Sequence, residues 1–400
     1  MNPFIPRRRY VTYQGEIAML LGAPFRRQQV VGADIAAFEG ALARYHGVAY
    51  AHCVNSGRIG LLLLLQALGV VPGDEIVVPA YTYRALIMLL ADSGYVPVPV
   101  DIDPVSFNLD PDQVRARLGP KTRAILATHL FGRPCAMAEL KDIARVHGLW
   151  LLEDCAQSLG SELDKRKVGS FGDGAILSFD LLKSVNTFGG GAVLTPHAEV
   201  SARIAQRIAS MLPPGAALGR RIAMALAEHV VLTTPLARLV AHALAHPRTQ
   251  QLVARSYRSM QDAVRPASTG YTDLQAQIGL RLLDSLDARV AVRRMQMRLL
   301  TTALSETTFG AREENGYFFV RQVDGDAAVL RRALLHAGVD AGIGHEVADY
   351  CGDLGRAAPC PVAQAVYRQA IQLPLHEGVT DEGLRHIAAT CAGRLMKREP

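Results

Sequence analysis

The stretch Glu153-Asp154-Cys155-Ala156-Gln157, continued by Gly169-Ser170-Phe171-Gly172-Asp173, Ser178-Phe179-Asp180-Leu181-Leu182-Lys183 and Gly189-Gly190-Gly191, decides how the chain is read. Leu149 to Leu152 is a short apolar run and predicts a strand, with Asp154 just past its end. Ala175 to Phe179 predicts a second strand, and Lys183 falls in the loop after it. Open α/β sheets bind ligands beyond the carboxyl ends of their strands. An acid and an amine at two such ends, 29 positions apart in the chain, can face one crevice.

A pyridoxal phosphate (PLP) site needs this pair. A lysine amine forms a Schiff base with the aldehyde, and a carboxylate holds the pyridine nitrogen protonated. At about 4 Å and an effective dielectric near 20, such an ion pair gains roughly 4 kcal/mol before desolvation is counted. Taken singly, each residue has a plainer reading: a helix-capping aspartate and a solvated loop lysine.

Further motifs stand in order around the pair. They are Phe38-Glu39 with Tyr45-His46-Gly47, Asn55-Ser56-Gly57, Gly73-Asp74-Glu75 with Pro79, Val100-Asp101-Ile102-Asp103, His129-Leu130-Phe131-Gly132 and Leu373-Pro374-Leu375-His376. The ordered set resembles the DegT/DnrJ/StrS family of fold-type I PLP-dependent aminotransferases, best known for transaminating nucleotide sugars, over most of the chain. The resemblance implies an α/β fold: a large domain with a mostly parallel sheet and a smaller C-terminal α+β domain. It implies L-glutamate as amino donor, a nucleotide-linked keto sugar as acceptor, and a homodimer.

Residue by residue, the resemblance makes Lys183 the Schiff-base amine and Asp154 the partner of the pyridinium. It puts Tyr83 against the ring face, Gln157 near the ring, and Ser56, Gly57 and Ser178 on the phosphate. Each has a plainer alternative: an ordinary capped helix after Asn55-Ser56-Gly57, core packing for Tyr83, and capping for Gln157 and Ser178. A glycine turn that feeds a helix N-terminus does present free N–H groups to an anion. Arg58 stands where the family usually has threonine; its guanidinium fork suits a phosphate, the solvent or the substrate. Relatives with histidine in place of Lys183 act as dehydratases, so lysine favours transamination. In relatives, an asparagine and an arginine precede the helix that starts here near Thr272, the asparagine reaching the partner subunit's phosphate. Here the stretch is Ser268-Thr269-Gly270-Tyr271, and that contact is missing or replaced.

The totals bound the alternatives. A chain of 400 residues, 50% hydrophobic and 20% charged, builds a sizeable core and is not disordered in bulk. The net charge of +6, from 43 basic and 37 acidic residues, suits an anionic substrate or a membrane surface. No basic stripe interleaved with aromatics points to nucleic acid. Cys53, Cys135, Cys155, Cys351, Cys360 and Cys391 form no CxxC pair, so free thiols in a reducing cytoplasm are expected and no metal site. Neither a signal-like apolar run nor a spanning stretch is found.

In order, residues 1–30 read as an arm, 31–255 as the large PLP-binding domain and 256–400 as the smaller domain. Helices are expected at Ile35 to Tyr45, Ile59 to Leu68, Ala136 to His147, Ala327 to Ala337 and Asp381 to Leu395. Strands are expected at Tyr50 to Val54, Glu75 to Pro79, Val96 to Ile102, Arg123 to Leu130 and Tyr317 to Val320. Pro97 and Pro99 put the third of these near an edge. Residues 213–250 are apolar, with Pro235 dividing Ile222 to His246 into two short helices. They predict either a packed helical hairpin or a surface for an apolar or lipid-linked substrate, with peripheral membrane contact. Thr272-Asp273-Leu274-Gln275 has the form of a capping box, opening one long helix to about Leu304. His129 reads as packed or supporting, and His345 as a surface histidine. The rival functions are a PLP-dependent lyase or dehydratase, an aminotransferase for another ketone, and a PLP-binding regulatory protein without turnover.

Overall fold

The computed structural model describes residues 4–7, 32–212, 216–233, 269–304 and 314–395. In chain order the first elements are α1 (Ala33–His46), β1 (Tyr50–Val54), α2 (Gly57–Ala67), β2 (Glu75–Pro79), β3 (Tyr81–Thr82) and α3 (Arg84–Asp92). Then come β4 (Val96–Val100), α4 (Pro111–Arg117), β5 (Thr122–Thr128), α5 (Met137–His147), β6 (Trp150–Asp154) and the hairpin β7 (Glu162–Leu163) and β8 (Arg166–Lys167). β9 (Gly174–Ser178), β10 (Gly191–Thr195), α6 (Ala198–Ala209) and α7 (Ala216–Thr233) follow.

The main sheet has seven strands in the order β1-β10-β9-β6-β5-β2-β4. β9, β6, β5, β2 and β4 pair in parallel, and β10 runs antiparallel between β1 and β9. Six strands therefore point one way, and their carboxyl ends share one edge of the sheet. β4, with Pro97 and Pro99, is an edge strand; each proline lacks a ladder donor, which an edge tolerates. Helices cover both faces. Leu61, Leu64 and Leu65 of α2 pack with Ile76, Val78 and Val193 on one side. Leu140, Ile143 and Ala144 of α5 pack with Val77, Ile125 and Leu151 on the other. Strands buried on both faces carry continuous apolar runs instead of an alternation, which is why they were legible as short blocks.

Beyond the main sheet lie α8 (Asp273–Asp284), α9 (Leu286–Ala303), β11 (Phe319–Gln322), α10 (Ala327–His336), β12 (Gly342–Ile343) and β13 (Asp349–Tyr350). α11 (Pro361–Gln369), β14 (Ala370–Leu373) and α12 (Asp381–Cys391) complete the described chain. β11-β14-β12 form a second, antiparallel sheet. Its own core joins Leu300, Phe319, Leu330, Ile371, Leu373 and Ile387. The described start of the chain docks there: Ile5 bridges Val339, and Arg7 pairs with Asp340 and Glu346. Most of the expected arm lies outside the described residues.

Two expectations are corrected. The helix expected from Thr272 to about Leu304 is two helices, broken at Ser285. The Ser285 hydroxyl donates to the Leu282 carbonyl at 3.3 Å, taking up an acceptor at the end of α8. Leu274, Ile278, Leu282, Leu286 and Val290 are nonetheless all buried against the α1 side of the large core. In the apolar segment, the helix begins at Ala216 rather than Ile222 and runs 18 residues to Thr233. Pro235 and the second half of that segment lie outside the described residues. Ile222 and Leu226 of α7 pack against the core. No described helix is long and apolar enough to cross a membrane.

Candidate active site

The shared carboxyl edge gathers the residues singled out from the sequence. Asp154 is the last residue of β6, opposite Thr128 of β5 and Ile176 of β9. It is 5% exposed, and its Oδ1 accepts from the Ala156 N–H at 2.9 Å. Burial pushes its carboxyl above the usual aspartate range. The Ala156 donor and the nearby charge of Lys183 draw it down, and burial wins. Lys183 sits in the loop after β9, its backbone N–H on the Asp180 carbonyl at 2.9 Å. Its Nζ lies over the Tyr317 ring, 5.4 Å from the centroid.

Ser56 caps α2, accepting from the Ile59 N–H at 3.2 Å. The cap uses a lone pair and leaves the hydroxyl proton to donate. A β-bridge ties Ser56 to Gly190. A Cβ at Gly57 would lie 3.0 Å from the Leu177 carbonyl oxygen and 3.5 Å from Ser178 Cβ, so the first turn of α2 presses on the end of β9. Ser178 ends that strand, paired with Gly191. Gly190 has φ +101 and lies against the Tyr271 ring; a side chain is excluded there on both counts. Ser56, Gly57 and Ser178 are thus neighbours around a helix N-terminus. The Arg58 guanidinium lies over the Tyr83 ring, 6.0 Å from its centroid, and Tyr83 is half-buried at the start of α3. Gln157 turns its Oε1 to the Phe131 N–H at 2.8 Å.

This donor set fits PLP. A buried carboxyl ends β6 and an amine follows the neighbouring β9, and the hydroxyls of Ser56 and Ser178 stand at a helix start. The dipole of one helix end is worth about 0.3–1 kcal/mol to an anion, so a phosphate held there would need side-chain donors as well.

Around these lie supporting residues, of which the sequence reading marks His129 as such and gives Glu153 no role of its own. Glu153 accepts from the N–H groups of Gly169, Phe171 and Gly172 at 2.7–2.8 Å. His129 Nε2 lies 3.0 Å from the same carboxylate, and the Cys135 N–H reaches His129 Nδ1 at 3.0 Å. That backbone donor makes Nδ1 the acceptor, so Nε2–H donates to Glu153. Burial raises the Glu153 carboxyl, but its four donors outweigh burial and hold it below the usual range. His129, Glu153 and Cys155 converge closely enough to ligate a metal, but the carboxylate is committed to these donors. His129 is fully buried, as a supporting residue should be, and His345 is exposed. At the altered stretch, Asn55 Nδ2 donates to Thr269 Oγ1, and Tyr271 is buried among Phe38 and Phe179. Ser268 lies outside the described residues. A separate cavity of about 630 Å³, lined in part by Asp103, Arg133, Glu139 and Glu314, contains none of the candidate residues.

The model of the DegT/DnrJ/EryC1/StrS aminotransferase family matches residues 25–392. The chain belongs to this family. Among its DegT/DnrJ/EryC1/StrS relatives, the GDP-perosamine synthase of Caulobacter vibrioides is 40% identical over 174 residues, 44% of this chain and 47% of the relative. The L-glutamine:2-deoxy-scyllo-inosose aminotransferase of Streptoalloteichus tenebrarius is 30% identical over 296 residues, 72% of this chain and 62% of the relative. The chain thus spans about half the length of the curated relatives it matches first. The structure of DesI, solved in the presence of its TDP-sugar product, superposes with a TM-score of 0.72 at 26% identity, covering 98% of this chain and 92% of that one.

Proposed function

We propose that this protein is a PLP-dependent aminotransferase that moves an amino group from L-glutamate to a nucleotide-linked keto sugar. The observation that carries the reading is Asp154, buried at the carboxyl end of β6, with Lys183 in the loop that follows the neighbouring strand β9. A buried carboxyl without a cationic partner is costly, and a protonated pyridine is such a partner. When bound, PLP supplies an electron sink for the carbanion formed at the substrate carbon.

The chain's own residues do the rest. Asp154 holds a ring nitrogen protonated. Ser56, Gly57, Ser178 and the Arg58 guanidinium bind the phosphate. Tyr83 covers one face of the ring and excludes water from it. Gln157, fixed by its bond to the Phe131 N–H, borders the ring. Lys183 Nζ would hold the cofactor through its aldehyde carbon, and the same amine is the group placed to accept a proton and return it. A nucleotide-linked acceptor is favoured by the names of the relatives, one a GDP-perosamine synthase and one solved with its TDP-sugar product. L-glutamate as donor rests on the family resemblance alone, and the relative whose name states a donor states L-glutamine. The same reading makes the protein a homodimer with an amino-acid donor and a keto acceptor as its small-molecule partners. The six free cysteines, all buried, favour a reducing compartment such as the cytoplasm.

The test is a half-reaction. Protein loaded with PLP is mixed with L-glutamate, and 2-oxoglutarate is counted per chain. One equivalent, followed by amination of a nucleotide keto sugar read by mass, is expected. Release of ammonia instead would assign the protein to the lyases, and no product would favour the regulatory reading.

A further inference from the structure

The loop that carries Lys183 is pinned on both sides of the lysine. On the near side, the Tyr317 hydroxyl donates to the Leu182 carbonyl at 3.0 Å. On the far side, Arg289 Nη1 donates to the Ser184 carbonyl at 2.7 Å, and Arg293 Nη1 to the Ser184 hydroxyl at 3.3 Å. Asn186 Nδ2 donates to the Leu181 carbonyl at 2.7 Å. The backbone flanking the amine is therefore fixed, and the side chain is what remains free to move.

Tyr317 does two things at once. Its hydroxyl holds Leu182, and its ring lies under Lys183 Nζ at 5.4 Å, within the range where an ammonium is drawn to an aromatic face. Tyr317 is 8% exposed, and its ring is stacked on that of Phe318 with centroids 4.2 Å apart. Its backbone is set by Asn315. The Tyr317 N–H donates to Asn315 Oδ1 at 2.9 Å, and Asn315 Nδ2 donates to the carbonyls of Gln157 and Leu159 at 3.0 and 2.9 Å. Gln157 belongs to the loop that follows Asp154. One short segment, Asn315 to Tyr317, thus ties the loop of the acid to the loop of the amine.

We propose that Tyr317 is the positioning residue for the Lys183 amine, its hydroxyl fixing the loop and its ring face seating the ammonium, with Asn315 registering both against the Asp154 loop. The proposal rests on the reading of Lys183 as the cofactor-binding amine. The ring attracts the ammonium and not the neutral amine. It holds Nζ in place after the amine has taken a proton, and lets it go once the proton is passed on.

The test compares apoprotein of the natural sequence with Tyr317→Phe and Tyr317→Leu. Capture of PLP is followed by absorbance across a pH series, and borohydride reduction with peptide mapping locates the adduct. Tyr317→Phe keeps the ring, and a two- to threefold slower capture with an unchanged pH profile is expected, near the low end of roughly 0.5–1.5 kcal/mol for one hydrogen bond. Tyr317→Leu also loses the ring. With the ammonium no longer favoured over the neutral amine that attacks the aldehyde, a capture profile moved to lower pH is expected, with a high-pH rate close to that of Tyr317→Phe, and in turnover a lower kcat at an unchanged KM for the donor. Unchanged rates and pH profile in folded Tyr317→Leu would overturn the positioning role while leaving the PLP reading intact. If Tyr317→Leu does not fold, equal capture by Tyr317→Phe and the natural sequence would overturn it instead. Absence of any adduct at Lys183 in the natural sequence would overturn both.

Discussion

Asp154 is stabilised in its neutral form by burial, and its task requires the charged form. Its folded pKa lies above the ordinary value, so the folded state holds a proton that the unfolded chain releases. Without cofactor, stability therefore falls as pH rises from the ordinary aspartate value through the raised one. Asp154→Asn removes that loss. The expected outcome is an apoprotein at least as stable near neutral pH, by urea denaturation, that no longer binds PLP tightly. Glu153 is the opposite case, because its charge is fully spent on protein donors. Glu153→Ala leaves the buried Gly169 N–H, the part-buried Phe171 and Gly172 N–H groups and the buried His129 N–H without an acceptor, at about 1–3 kcal/mol for each fully buried one before relaxation. A drop of several kcal/mol in denaturation is expected, together with loss of order in 169–172. At this scale the sequence was readable where a polar residue interrupts an apolar block, as Asp154 and Lys183 do. Tyr317 was not readable, because the carbonyl it holds lies 135 positions away and nothing local distinguishes it from a strand aromatic.

Among the elements, caps and glycines were legible because their cause is local. Thr272 and Gln275 form the reciprocal capping box that their spacing announced. Thr272→Ala is expected to cost about 0.5–2 kcal/mol, measurable by denaturation of the otherwise unchanged protein. Gly57 answers to a neighbour instead: its helix start presses on the β9 carbonyl at Leu177. Gly57→Ala should lift the first turn of α2 from Ser178 and weaken PLP binding, read by equilibrium titration, while far-UV circular dichroism stays unchanged. The break at Ser285 was invisible in the pattern. The apolar stripe continues through it, since Leu282, Leu286 and Val290 all remain buried, and no proline or glycine marks the spot.

For the whole molecule, the resemblance implied a mostly parallel sheet, and the antiparallel β10 is the exception within it. β10 follows β9 after a loop with no helix, which is the connection an antiparallel neighbour requires. Long-range burial also shapes the response to pH. Glu39 is raised from 4.5 to about 7 by burial, its one backbone donor, Cys53, only partly offsetting it. Because the folded pKa is the higher one, Glu39 makes stability decline across that interval as pH rises. Glu39→Gln keeps the acceptor and should flatten the decline in denaturation midpoints compared below and above the interval. The central claim is that Lys183 captures PLP in a crevice shared with Asp154, and it is tested most directly by reducing the PLP-loaded protein with borohydride and mapping the labelled peptide. The account predicts one pyridoxyl group per chain on Lys183, absent in Lys183→Ala and diminished in Asp154→Asn. A folded protein that takes up no label, or takes it up on another lysine, would contradict it.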